Sequence, residues 1–572
     1  MKVLSSLSQY ILLGIITLFI LSCSNTPKSL SAVPKEATVV ASINLYSLGE
    51  KANLKKAKEL KIFKKFQDEV KSENKKLEKI FSEFIENYKV SGIDIKKDIF
   101  IYRYSQFSDE THQDYVGVSA QVRDKGKFTD FAKRIAEATE TNVTIENAKD
   151  YSFFFTQKEL VGWDEDKILL LSAVEQNDRL EEIFAKLFHL DKKEQISSNK
   201  DFKDFYDKKE EISVWVSGRL IEDLGSDTDT SLDEVRNMSD LDIRSSSLSF
   251  YLDFADENIT LTTALNANEE FKKKLEKYKF WKNKFNAELL NFLPKESYLA
   301  GSFSINMPLY YKYLKEQSIF TLMESVFLMG TGTKLEDFFN TLGGSAIFTI
   351  SGFERKSYTH KVYEEFDLDT DEDDNEDSNI AISGEDNQEE DLYEDHYVEK
   401  TEEILTPLVS FVMDIKNKEF IERQLKKSYS RLLKKENGYY TLTKDDITIY
   451  IAYNEKYLFI SNDKSGVDAF LKKGYDKDRS LAKATIAQQI MKNNFYGYVN
   501  LDYDTYPQIV KDEIKKEQNR QEQYLLSIWK DILKDMEVKQ RGDYATQFIL
   551  NLRNTEQNSL YTLLKMIDKS IE

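Results

Sequence analysis

The stretch Pro34 to Leu45, PKEATVVASINL, returns 260 positions later as Pro294 to Ile305, PKESYLAGSFSI. Each copy opens on Pro-Lys-Glu, a stop ahead of a strand, and then runs through small and apolar residues. Ala41-Ser42-Ile43 is answered by Gly301-Ser302-Phe303. Read outward from this echo, the order of elements recurs. Ala346 to Ile350 answers Ile99 to Tyr102. Leu408 to Ile415, with Lys416 to Phe420 after it, answers Val116 to Phe128. Tyr457 to Ser461 answers Ile168 to Ser172, and Phe495 to Leu501 answers Ile212 to Leu220. Tyr544 to Leu552 answers Ile259 to Leu265. The offsets are 292 for Phe128/Phe420, 289 for Ser172/Ser461 and 285 for Asn266/Asn551, nearly level after one jump. The expected fold is therefore α+β: two tandem similar halves, 34–282 and 283–572, each a mainly antiparallel sheet packed with helices.

The jump is explained by an insertion. Residues 364–403 hold 20 acidic residues and one lysine, a net of -19, against -20 for the whole chain. The acidity thus belongs to one loop, expected to be disordered because it is poor in apolar residues. Asp367, Asp369, Asp371 and Asp373 have the spacing that begins an EF-hand loop. Glycine is missing at the sixth place, and Ser378 stands where a bidentate glutamate belongs, so only weak cation binding is expected there.

With 572 residues the chain exceeds a single ordinary core. It is 41% hydrophobic and 13% aromatic, a globular composition. An acidic chain without clustered Lys and Arg is not a general nucleic-acid binder. Helical faces are marked by Leu60, Phe63, Phe66 and Val70, and by Leu77, Ile80, Phe81, Phe84 and Tyr88. Lys511 to Lys534 reads as one long charged helix.

The N-terminus reads as an address. Lys2 precedes Tyr10 to Leu21, an apolar core of twelve residues. As a helix that is roughly 18 Å, short of the roughly 30 Å hydrocarbon layer, so residues 1–22 read as a signal peptide. Ile20-Leu21-Ser22-Cys23 resembles a bacterial lipobox, and Cys23 is the one cysteine in the chain. Its thiol is the expected lipidation site, which leaves no intramolecular disulfide and no Cys-based zinc site. Residues 23–33 read as a lipidated tether. The similarity to lipoproteins implies a lipid anchor in the bacterial outer membrane, periplasmic face, with the cell surface as the alternative.

Catalytic constellations are missing from the sequence. His112, His189, His360 and His396 are scattered, with no nucleophile elbow and no H-E-x-x-H. Gly330, Gly332, Gly343 and Gly344 lack phosphate-loop spacing and read as turns. No catalytic residue and no cofactor is assigned. Aromatic clusters at Phe153-Phe154-Phe155, Tyr310-Tyr311-Tyr313 and Tyr439-Tyr440 read mainly as core. A tyrosine-lined groove between the halves, taking peptide or glycan, is the binding alternative.

The lipobox, PKEATVVASINLYSLGEKANL (Pro34 to Leu54) and GIDIKKDIFIY (Gly92 to Tyr102) resemble an uncharacterised family of Bacteroidota lipoproteins, domain of unknown function 4836. That resemblance implies envelope location and carries over no site residues. The expected function is a membrane-anchored, non-catalytic binding or scaffold protein with an envelope protein or glycan as partner. The alternative is a glycan or peptide hydrolase using paired carboxylates in a cleft between the halves.

Overall fold

The computed structural model describes residues 27–571 apart from 109–110, 140–143, 157–158, 175–178, 221–244, 283, 317–319, 364–396, 428–431, 445–446, 518–519, 543 and 554–555. The expected signal peptide, Cys23, and Asp367, Asp369, Asp371 and Asp373 lie outside the described residues.

Twenty strands join in one sheet. In chain order they are β1 (Val39–Ile43), β2 (Ile99–Ser108), β3 (Thr111–Gln121), β4 (Glu146–Asn147), β5 (Ser152–Phe155), β6 (Glu159–Trp163) and β7 (Lys167–Ala173). Then come β8 (Ile212–Ser217), β9 (Ser247–Phe254), β10 (Asn258–Asn266), β11 (Leu299–Ser304), β12 (Leu342–Tyr363) and β13 (Tyr397–Ile415). The last seven are β14 (Lys434–Lys435), β15 (Tyr439–Lys444), β16 (Ile447–Tyr453), β17 (Tyr457–Ser461), β18 (Phe495–Asn500), β19 (Leu533–Gln540) and β20 (Ala545–Leu552).

All ladders among the described residues are antiparallel. From one edge the order is β4-β5-β6-β7-β3-β2-β1-β8-β9-β10. It continues β20-β19-β18-β11-β12-β13-β17-β16-β15-β14. The two runs meet at β10 and β20, paired from Asn258↔Asn551 to Ala264↔Ala545. Mixed helix with a large antiparallel sheet is the α+β content expected.

Strand alternation gives the sheet two faces. One face is covered over both outer parts. Val40, Phe100, Tyr102, Leu169, Leu171, Trp215 and Tyr251 pack under Leu30, Ile183, Phe184, Leu187, Phe202 and Phe205. Ala300, Ile347, Val412, Phe459 and Tyr496 pack under Leu289, Leu290, Val467, Phe470, Leu481 and Ile490. On the other face helices cover the outer strands and, through Met307, Phe338 and Phe339, the ends of β11 and β12. The helix Lys125–Thr139 sets Phe128, Ala132 and Ala136 on Phe154, Trp163 and Ile168. The helix Lys418–Lys427 sets Phe420, Ile421 and Leu425 on Met413 and Tyr440.

Several sequence expectations are corrected. The tether does not run to Val33. Lys28–Ala32 is a 3-10 turn with Ser29, Leu30 and Ala32 buried, because the core under β2 and β3 needs the apolar cover. Tyr102 Oη donates to the Ala32 carbonyl at 2.9 Å, and Ser119 Oγ donates to the Ser29 carbonyl at 2.7 Å. Residues 397–403 of the expected acidic loop are strand instead, running from Tyr397↔Tyr363 to Glu403↔Ser357. Backbone ladder bonds hold a charged ribbon that composition alone reads as loop. Strand β1 stops at Ile43, because Asn44 Oδ1 accepts the Ser47 N–H and caps the helix Leu45–Lys51. The helix expected over Lys511 to Lys534 stops at Trp529, with 518–519 outside the described residues. Helices Gln508–Glu517 and Arg520–Trp529 are followed by β19, whose pairing on both sides overrides helical propensity. Ser172 and Ser461 point to opposite faces: Ser172 opposes Val116, whereas Ser461 opposes buried Ser410. That correspondence slips by one residue, which in a strand reverses the face.

Candidate functional site

The middle of the second face has no roof among the described residues. Side chains pointing there include Val39, Ala41, Ile101 and Val116 from β1 to β3, and Val214, Val216 and Phe250 from β8 and β9. Across the seam follow Leu261, Phe548, Val538, Met536 and Val499, then Leu299, Phe348 and Val409. Ile101, Val116, Phe348, Phe495, Met536 and Phe548 are between 37% and 41% exposed. A sheet face this apolar is normally covered, and an uncovered one of this breadth marks an interaction site.

At one end the face deepens into a pocket of about 350 Å³. Its floor is Leu265 of β10, Thr546 of β20, Gln540 of β19 and Phe495 of β18. Its wall is the crossing segment Tyr278, Lys279, Phe280 and Trp281. That segment is fixed to the end of β11. The Lys282 N–H donates to the Ser304 carbonyl at 3.0 Å, and Lys282 Nζ donates to the Gly343 carbonyl. Burial pushes the Lys282 ammonium pKa below its ordinary value, with Asp414 opposing. Behind the wall, Phe280 packs 5.1 Å from Tyr310 and 5.7 Å from Tyr313, centroid to centroid. Gln540 Oε1 is buried beside the pocket without a hydrogen-bond partner.

The sequence clusters fare unevenly. Tyr310 and Tyr313 back this pocket, while Tyr311 is buried and donates to Glu324 at 2.6 Å. Phe153 and Phe154 enter cores on opposite faces, and Tyr440 is core. Trp281 and Phe495 were not singled out by sequence. The signal was there: Tyr278, Phe280 and Trp281 crowd the chain just before the second Pro-Lys-Glu.

A second exposed apolar element is the helix Phe320–Thr331. Phe320, Glu324, Phe327 and Thr331 turn inward, whereas Met329 is 79% and Leu322 66% exposed. Its acid is turned to Tyr311, so the outward side carries no charge. No helix among the described residues is long and apolar enough to cross a membrane.

Carboxylates converge at Glu210, Glu211 and Asp253. Lys51 Nζ sits between two of them, 2.7 Å from Glu211 and 3.1 Å from Asp253. Burial pushes the Glu211 pKa up, but the Lys51 bond and charge outweigh it and hold the group below the usual range. Glu210 is raised, by burial first and then by Asp253 and Glu211. The Lys51 ammonium thus already neutralises part of the cluster. His189 lies exposed, 3.4 Å from Asp150.

These features define a large antiparallel α+β sheet protein with an apolar, uncovered sheet face. The chain belongs to the family Domain of unknown function (DUF4836), whose match spans residues 31–560. No curated protein matches it. Among solved structures it is similar to crystal form I of TP0453, at 10% identity, covering 44% of this chain and 85% of that one, with a TM-score of 0.23. Crystal form III of TP0453 is similar at 10% identity over 46% and 90%, with a TM-score of 0.24.

Proposed function

We propose that the chain is a lipid-anchored envelope protein that binds rather than catalyses, and that its binding element is the apolar sheet face. The carrying observation is the half-exposed apolar row from Ile101 to Phe348. The lipobox at Cys23 and the signal peptide support the anchor, placed in the outer membrane. The site is one surface contributed by two tandem halves, 34–282 and 283–572. Supporting that division, β1 lies between β2 and β8 as β11 lies between β12 and β18. The bridge Pro34↔Gln195 has its counterpart in Pro294↔Ser480.

The test is site-specific photocrosslinking from positions 536 and 548 of the lipidated protein in intact envelopes. The expected result is a discrete adduct, absent when the crosslinker sits at exposed Lys444. Crosslinking no better than at Lys444 overturns the reading. For the anchor, Cys23→Ala is expected to leave the membrane fraction, and unchanged retention refutes it.

A further inference from the structure

We propose that the pocket beside Trp281, with the strip of sheet running out of it, takes a single long aliphatic chain: the acyl tail of a lipid. This rests on the reading of the sheet face as the binding element and names its ligand class.

A volume of about 350 Å³ falls within the roughly 300–1,000 Å³ of small-molecule sites. Phe280, Trp281, Phe495 and Leu265 give it an apolar side, and Glu276, Lys279, Gln540, Tyr544 and Thr546 a polar one where a carboxyl or head group can sit. Its floor does not end at the wall. Along β19 the same face continues from Gln540 to Val538 and Met536, along β20 from Thr546 to Phe548 and Leu550. On β18 the position between Phe495 and Val499 is Gly497, where a side chain would reach only ordinary contact with Val538, 3.7 Å away. The missing side chain leaves a notch between apolar neighbours. Pocket and strip together form a trough that extends about 13 Å beyond Gln540.

The strands beneath it are interior, paired on both sides. An extended peptide laid across them would find no free backbone groups and would bury its own amides unpaired. A glycan would likewise bury hydroxyls against Val538, Met536 and Phe548. An aliphatic chain has no such groups to satisfy, so non-directional contact is sufficient for it.

The experiment uses the full mature chain stripped of bound lipid and titrated calorimetrically with dodecanoate, tetradecanoate and hexadecanoate. Affinity should rise with chain length, by up to roughly fourfold per methylene buried. Phe495→Lys and Gly497→Leu should each weaken hexadecanoate binding at least tenfold without lowering Tm, while Leu322→Lys on the distant exposed helix should not. Binding that ignores chain length, or that survives both trough variants, overturns the assignment. If hexadecanoate fails to bind but crosslinks from positions 536 and 548 still form to a protein, the acyl assignment falls and the sheet-face reading stands. If both fail, the sheet-face reading falls too.

Discussion

Thr262 and Gln547 stand directly opposite each other across the β10–β20 ladder, and Gln547 Nε2 donates to Thr262 Oγ1 at 3.1 Å. Their separation in sequence equals the 285 offset between Asn266 and Asn551. The pair sits on the seam where the two runs of strands meet.

The seam is expected to carry stability through its backbone more than through this side-chain bond. Gln547→Ala should cost about 0.5–1.5 kcal/mol, whereas Gln547→Pro, which removes an interior ladder donor, should cost about 3 kcal/mol or more. Urea denaturation of both variants checks the ordering. Equal losses would mean the seam is not a continuous ladder.

The two faces of the sheet should respond oppositely to truncation. Trp215→Ala and Phe459→Ala, in the covered cores, should each lose about 3–5 kcal/mol. Phe548→Ser and Met536→Ser, on the open side, should change thermal stability by less than about 1 kcal/mol. Calorimetric melting distinguishes them, and large losses at Phe548 would mean its face is covered.

That contrast explains what could be read in advance. The echo of Pro34 to Leu45 was legible because each copy is a turn feeding a strand with fixed neighbours. The open face was not, because Val39-Val40-Ala41 and Leu169-Leu170-Leu171 are apolar at every position. Such strands read as covered on both sides, so exposure leaves no trace in the alternation. Phe320 to Thr331 escaped for a related reason. Being apolar nearly all round, it shows no stripe to mark which side is buried. Pairing decided the ribbon of β12 and β13 at residues 397–403, and partners distant in sequence are invisible to local composition.

Residues 28–33 should behave as core rather than as linker. Leu30→Ala is expected to cost about 2–5 kcal/mol, comparable to a central core position. Equilibrium unfolding of that variant settles it, with no change expected if the segment were merely a tether.

Lys51 should be the keystone of its carboxylate cluster. Lys51→Met is expected to destabilise by about 1–3 kcal/mol at neutral pH. Glu211 is held below its unfolded value, so its contribution is present above about pH 4.3 and lost as pH falls through the depressed value. Lys51, lowered by burial but raised further by Glu211 and Asp253, contributes below about pH 10.4 and loses this as pH rises through its raised value. The gap between parent and variant should therefore be widest between these limits. With the ammonium gone, millimolar Ca²⁺ should raise the Tm of the variant and not of the parent. A scan of Tm against pH and Ca²⁺ tests both statements.

The order of synthesis gives the seam a further meaning. β10 is complete at Asn266, yet the strand that closes its outer edge begins only at Ala545. In a chain delivered from its amino end, β10 therefore stands with a bare strand rim until β20 follows it. Such a rim invites pairing with another copy, so this polypeptide should depend on a holding chaperone until β20 has closed it.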